Sequence, residues 1–450
     1  MTVETSPIPT RSSLHRWWAM LPLLLGILIG ALAISSVATA LPAVRGELHF
    51  NDTEVLWFVD IYSLTLAATL ILAARIGDAF GRKRIILIGL TGFAVLNAVG
   101  GFATSGLVLI IVRALLGMAE AFVIAGVVAT IGAHYQAKQR VLAYGLWTAT
   151  FGAGSALGPV VGGLLADGPG WRWLLLGAVP LAVLAAVLTM WLVPDSRAGR
   201  AQAWDVPSIV TSIVALGALV YALHEALASP FVAVAAGAVA VSGLVFFVAR
   251  QRRLADPLID VGLFAVPGFS TAISRILVSS GASAASVVLI SLHLQDAIGM
   301  TAAEAGLMLL PQAIAIVAGG VLAPLLLRRL SSGTATVLAL LLQAAGLAML
   351  ALNPVSVLVP LSFIGLGFGV AGTLAATTLF DVTTVEHAGQ VGAIQEVGFA
   401  LGGGLGIAVL GTIAAVVAQG GAVVAIAAGT IVVLLSAVAP FIGRRRNRSV

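Results

Sequence analysis

The 450-residue sequence is 60% hydrophobic and only 9% charged, with a mean hydropathy of +1.11. A chain this long and apolar cannot bury its hydrophobic surface in a water-soluble core, so helices that span a bilayer are the economical solution. The net charge of +5 does not point to nucleic acid, because the basic residues sit in alternate loops instead of forming a stripe, and the absence of cysteine excludes both disulfides and thiolate metal sites.

Taken in chain order, apolar runs of roughly 20 residues bounded by charge, Pro or Gly predict helices at 17–42, 53–77, 84–104, 106–133, 141–166 and 171–194. Eight more are predicted at 206–227, 230–250, 269–293, 302–327, 334–353, 356–379, 388–418 and 420–442, making fourteen spans. The expected fold is therefore an all-α integral membrane protein. It divides into an N-terminal six-helix bundle (1–194), a linker with two extra spans (195–268), and a C-terminal six-helix bundle with a basic tail (269–450). The first run follows Arg11 and Arg16 and ends at Ala38-Thr39-Ala40, a layout shared with cleaved leaders. It exceeds the usual 7 to 15 residues of a leader core, so a retained span is expected.

With a cytoplasmic N-terminus, Arg82, Lys83, Arg84, Lys138, Arg140, Arg250, Arg328, Arg329 and the Arg444-Arg445-Arg446 tail all fall on the inner side, leaving Arg45 and Arg172 outside. This asymmetry predicts an even number of spans with both termini cytoplasmic.

The stretch "ARIGDAFGRKR" at 74–84 concentrates five charges in eleven positions. Gly81 allows a tight turn, Asp78 can pair with a neighbouring arginine, and Arg82 and Lys83 hold the loop in water, so by composition it is a topology anchor. A faint echo, "GGVLAPLLLRRLSSG", stands at the corresponding place in the last six spans. In "GAGSALGPVVGG" at 152–163, Gly154, Gly158 and Gly162 recur every four residues beside Pro159 and Gly163, a smooth face for another helix.

Carboxylates inside apolar runs are rare because each costs on the order of 3 kcal/mol near the bilayer centre, so Asp60, Glu120 and Glu396 are functional candidates by default. Arg113 precedes Glu120 by seven residues, almost two turns, placing both on one helix face. Glu120 can serve either as a structural partner of the arginine or in transport. Trp57, Trp171 and Trp173 read as an interfacial belt, and Arg275 as a residue that snorkels to water. No phosphate-binding Gly-Lys-Ser/Thr loop is present and the six histidines lack ligand spacing, so neither a nucleotide nor a metal cofactor is expected, and no catalytic constellation suggests an enzyme.

The 74–84 stretch resembles the loop between helices 2 and 3 of the major facilitator superfamily, roughly G-x-L-a-D-r-x-G-R-r. Asp78, Gly81, Arg82 and Lys83 match, while Ala74 and Ala79 depart from the pattern. Gly154-x-x-x-Gly158-Pro159-x-x-Gly162-Gly163 resembles the antiporter motif of exporters in that family. With "LWFVDIYSL" at 56–64, "WRW" at 171–173 and "PLIDVGLF" at 257–264, the chain looks like the fourteen-span drug:proton antiporter branch.

The resemblance implies a gate latch at 78–83, proton or cation binding at Asp60 and Glu396, and a proton-transfer role for Arg113 within R-x-x-x-G. Tyr62, Trp147 and Gln395 become possible cavity-lining residues, the aromatic pair through cation–π contacts. Gln395 stands where related pumps carry the first of two acids. In the first span the family pattern D-x-T-x-x-x-x-A-L-P meets "AISSVATALP", with Ala33 in place of the acid. The function implied is a proton-coupled antiporter of the cell membrane, acting as a monomer and exporting small lipophilic, cationic drugs by alternating access. The partners are the lipid bilayer, the substrate and protons, with the proton gradient as energy source. A dedicated exporter of one endogenous metabolite or antibiotic, and a decoupled facilitator or sensor, are the alternatives.

Overall fold

A computed structural model describes residues 17–135, 137–196, 205–225, 229–254, 257–354, 356–383, 388–417 and 421–446. Arg11, Arg16, Arg197, Arg200, Arg448 and Glu386 lie outside them. The described residues form helices and connecting loops without a strand. The helices are α1 (Met20–Ser35), α2 (Val37–Leu48), α3 (Asp52–Phe80), α4 (Arg82–Gly101), α5 (Gly106–His134), α6 (Ala137–Asp167), α7 (Arg172–Leu176) and α8 (Ala178–Leu192). They continue with α9 (Val206–Glu225), α10 (Pro230–Gln251), α11 (Phe269–Leu292), α12 (Ala302–Leu326), α13 (Ser332–Leu352), α14 (Leu358–Asp381), α15 (Ala388–Val416) and α16 (Gly421–Arg446).

This is a multi-pass membrane protein. Among the described residues, eleven helices are long and apolar enough to cross a bilayer, or twelve when the bent pair α1–α2 counts as one span. The expected fourteen is therefore not reached on length and composition, because the apolar stretches Val206–Ala222 of α9 and Gly421–Ala437 of α16 are shorter. The outer faces are apolar as lipid demands: Phe231 is 87% exposed and Trp191 76%.

Local sequence explains the breaks. The axes of α1 and α2 differ by 61°. Pro42 offers no N–H to the carbonyl one turn earlier and its ring crowds that position, so the chain turns just before it. Asn51 and Glu54 form a reciprocal capping box that starts α3, and Thr301 with Glu304 does the same for α12. Gly81 ends α3 at φ 113°, where a side chain would be strained.

One core gathers Leu23, Ile27, Leu70, Ile86 and Leu116 from α1 to α5, and a second gathers Leu289, Leu309, Leu340, Leu361 and Leu374 from α11 to α14. The two groups of helices meet along two seams. α6 packs on α12, the most extensive helix pair in the fold, and α3 packs on α15.

Candidate functional site

Four polar groups, Asp60, Tyr62, Arg113 and Glu120, gather where α1, α3 and α5 meet. Gly117 lets α5 approach α3, because a side chain there would strike the Tyr62 carbonyl and the Thr65 hydroxyl. That hydroxyl donates to the Ala114 carbonyl at 2.7 Å and locks the pair. Arg113 then projects inward, 3% exposed, under Phe58 and Tyr62, with its guanidinium carbon 5.3 and 4.9 Å from their ring centroids. Its Nε donates to the Phe58 carbonyl at 3.3 Å and its Nη1 to the Ala33 carbonyl at 2.9 Å. The guanidinium thus reaches the very residue that departs from the first-span pattern.

Tyr62 stands between the two charges on α5, close enough to both Arg113 and Glu120 for an electrostatic interaction, and Asp60 interacts with Arg113 in the same way. Glu120 is buried on the shared face, two turns from Arg113, with its carboxylate against Gly30 of α1. Gly30 lies one turn before Ala33, so the acid that lies against α1 here comes from α5 and not from α1 itself.

The α3–α15 seam holds two small cavities at different depths, each with a carboxylate in its wall. Asp60 lines one of about 10 Å³ with Ser63 and Leu64 of α3, Val220 of α9, and Ala400 and Gly404 of α15. Glu396 lines the other, of about 20 Å³, with Asp78 and Leu70 of α3, Ile124 and Val128 of α5, and Gly392. Either has room for about one water molecule. Asp60, Tyr62, Arg113 and Glu120 therefore belong together, whereas Glu396 and Gln395 lie further along the seam, with Gln395 Nε2 donating to Glu396 at 3.5 Å.

Tyr62, Trp147 and Gln395 share a property that their sequence context could not reveal. The Tyr62 hydroxyl, the Trp147 Nε1 and the Gln395 Oε1 are all buried without a hydrogen-bond partner. An orphaned buried polar group costs about 1–3 kcal/mol, so Tyr62 on α3, Trp147 on α6 and Gln395 on α15 each offer a hydrogen bond to a water or ligand, as do orphaned groups elsewhere such as Gln312 Oε1.

In the charged loop, Asp78 and Arg82 pair at 3.3 Å within one turn. Lys83 Nζ donates to the Met190 carbonyl at 2.7 Å and the Arg82 amide to the Ser196 carbonyl at 3.0 Å, both in the loop's own half. Arg75 Nη2 reaches the Pro257 carbonyl at 2.6 Å. Asp78 and Ala74 of the same stretch face α15 through the Glu396 cavity.

The glycine motif of α6 serves two partners. Gly154, Gly158 and Gly162 lie against the α1–α2 bend, where the Ser35 hydroxyl donates to the Gly154 carbonyl at 3.2 Å and the Thr39 hydroxyl to the Pro159 carbonyl at 2.9 Å. Gly163 faces the opposite way, onto the Ala302 backbone at the start of α12, and Gly306 returns the contact against Pro159. Trp171, expected in an interfacial belt, is instead 4% exposed and donates from Nε1 to Glu47 at 2.7 Å.

One polar group escaped the sequence reading. On α11, Ser279 donates to Gln343 Oε1 at 2.6 Å, and Gln312 Nε2 donates to Ser283 Oγ at 3.0 Å, all four residues buried. The signal was the serine spacing in "SSGASAAS", uncharged and hence invisible to a search for ionisable residues.

Comparison with known proteins bears on this arrangement. Residues 23–283 match the family model described as Major Facilitator Superfamily. The chain is 35% identical over 420 residues to the multidrug efflux pump LfrA of Mycolicibacterium smegmatis, covering 91% of this chain and 83% of the relative. It is 30% identical over 408 residues to the tetracenomycin C resistance and export protein of Streptomyces glaucescens, covering 89% and 76%. Among solved structures, the human organic anion transporter MFSD10 (TETRAN) superposes with a TM-score of 0.67 at 15% identity, covering 95% of this chain and 99% of that one, a likeness of fold alone.

Proposed function

Because this chain belongs to the major facilitator superfamily of membrane transporters, we propose that it exports lipophilic, cationic drugs in exchange for protons, as a member of the fourteen-span drug:proton antiporter branch. In this reading α9 and α16 complete the fourteen spans, both termini are cytoplasmic, and the protein works as a monomer in the cell membrane. The observation that carries the proposal is the pair of seam cavities, with Asp60 and Glu396 at two depths between α3 and α15. A carboxylate on an apolar seam can bind either a cation or a proton. Rocking of the two halves then exposes each acid to opposite sides in turn, so protonation from outside displaces the drug and proton release inside resets the site. Arg113 and Tyr62 link Asp60 to Glu120, and the loop at 78–83 acts as the latch that closes the inner side.

The drug-export part rests on relatives named for multidrug efflux and for tetracenomycin C resistance and export. The second of these also favours a narrower reading, a dedicated exporter of a single antibiotic. The test uses inside-out vesicles with an imposed proton gradient, to which ethidium is added. The native chain discharges the gradient and Asp60→Asn does not; a gradient that ethidium leaves untouched in the native chain overturns proton-coupled export.

A further inference from the structure

The Asp60 cavity has a wall that neither half of the molecule supplies. Two of its three sides are α3 and α15, each packed along its length into a bundle. The third is α9, which contributes Val220, 4% exposed, while Val206, Val210, Ile213 and Val214 on the same helix face outward. Next to Val220, Tyr221 stacks on Trp57 of α3, one turn before Asp60, with ring centroids 5.9 Å apart and planes at 26°.

The far end of α9 is held quite differently. Arg250 grips Asp205 with Nε at 2.9 Å and Nη2 at 2.8 Å, Ser208 donates to the same carboxylate, and Gln251 Nε2 donates to the Ser208 hydroxyl at 2.7 Å. Gln251 Oε1 in turn accepts from the Ile259 amide at 3.2 Å, tying this base to the segment that leads into α11. The helix is thus anchored by charged hydrogen bonds at one end and rests on an aromatic stack and an apolar side chain at the other.

A cavity of about 10 Å³ holds a water molecule and no drug. To admit a ligand one wall must yield. Displacing α3 or α15 breaks a bundle core, whereas displacing the Tyr221 end of α9 leaves both cores packed and uncovers apolar surface, Ser63 and the one carboxylate, Asp60, that an arriving cation would meet. Apart from Asp60 and Ser63 the lining is apolar, which suits a lipophilic cation arriving from the bilayer.

We propose that α9 is the lipid-side door of the Asp60 site, and that Val220 and Tyr221 set the width of the cation it admits. The inference rests on the export reading above and adds the route and the size filter to it. Ligand enters between α9 and the α3–α15 seam, the hairpin swinging about its Asp205–Arg250 base.

The 450-residue sequence contains no cysteine, so Trp57→Cys with Tyr221→Cys makes a unique pair within it. Reconstituted in proteoliposomes, the pair is bridged by a short bifunctional thiol reagent with a reducible linkage and assayed for efflux of tetraphenylphosphonium and ethidium, beside the native chain. Bridging is expected to cut efflux of both at least tenfold, with recovery on reduction. Unchanged efflux after complete bridging overturns the door, while absence of efflux from the native chain overturns the export reading beneath it. Independently, Val220→Ala is expected to raise kcat/KM for ethidium relative to tetramethylammonium severalfold and Val220→Phe to lower it. Equal effects on both cations rule out a size filter.

Discussion

At position 33 the side chain is a methyl group, and the guanidinium of Arg113 meets the backbone carbonyl there. The buried carboxylate next to this spot is Glu120, seated against the bare Cα of Gly30. Gly30→Ala places a methyl group where that carboxylate now lies. Since the obstacle is the end of a flexible side chain and alanine is the better helix former, the expected cost in stability is below about 1 kcal/mol, with Glu120 swung aside. If Glu120 serves transport, drug efflux falls about tenfold while the melting temperature in detergent moves by no more than a few degrees. A collapsed melting temperature, with normal efflux from the surviving protein, assigns Glu120 to structure instead.

Helix ends and junctions carry the next set of consequences. Gly81 holds φ at 113° between α3 and α4, so Gly81→Ala is expected to cost about 1–3 kcal/mol, read as a lower midpoint in thermal unfolding. It is also expected to loosen Asp78 from the Glu396 cavity. At the foot of α9, the hydrogen bonds from Arg250, helped by Ser208, hold the Asp205 carboxyl below its ordinary value. A carboxylate lowered on folding stabilises the folded state above its unfolded pKa of about 4, and that contribution is lost as pH falls through the lower folded value. Asp205→Asn should therefore destabilise the α9–α10 hairpin at pH 7 and make little difference near pH 2. Limited proteolysis of the 195–205 segment at the two pH values checks this. Arg250 is 36% exposed, so high salt should weaken the effect.

Across the whole molecule, the two halves touch where backbone meets backbone. Gly306 of α12 lies on the Pro159 carbonyl and Gly163 of α6 on Ala302, and Asp167 accepts from the Ala303 amide at 3.0 Å beside them. Neither backbone can retreat, so Gly306→Val is expected to hold α6 and α12 apart at this end and to stop alternation while leaving each core intact. The expected readout is rapid maleimide labelling of Ala303→Cys in the Gly306→Val background, slow labelling without it, and loss of efflux at unchanged expression. Slow labelling in both proteins would show that the contact does not govern closure.

Apolar run length and the placement of charge determined much on their own. They marked an all-helical membrane protein, located most of its helices to within a few residues though not the break and extension of the first run to Leu48, and picked out Asp60, Glu120, Glu396 and Arg113, which prove to be buried, but not Asp205. Those features follow from the cost of exposing apolar surface to water and polar groups to lipid, which acts on each segment separately. Only the tertiary structure decided that Arg113 answers Ala33, that Glu120 rests on Gly30, that the α6 glycines serve the α1–α2 bend and α12 on opposite faces, and that α9 closes the Asp60 cavity. These are contacts between helices distant in sequence, and within a bilayer every apolar helix face is chemically much like any other. Which faces meet is settled by small residues, hydroxyl hydrogen bonds and shape, and a single strand of sequence does not pair them. The buried serine–glutamine group around Ser279 and Gln343 went unread for the same reason, since its uncharged side chains matter only once α11 and α13 are brought together.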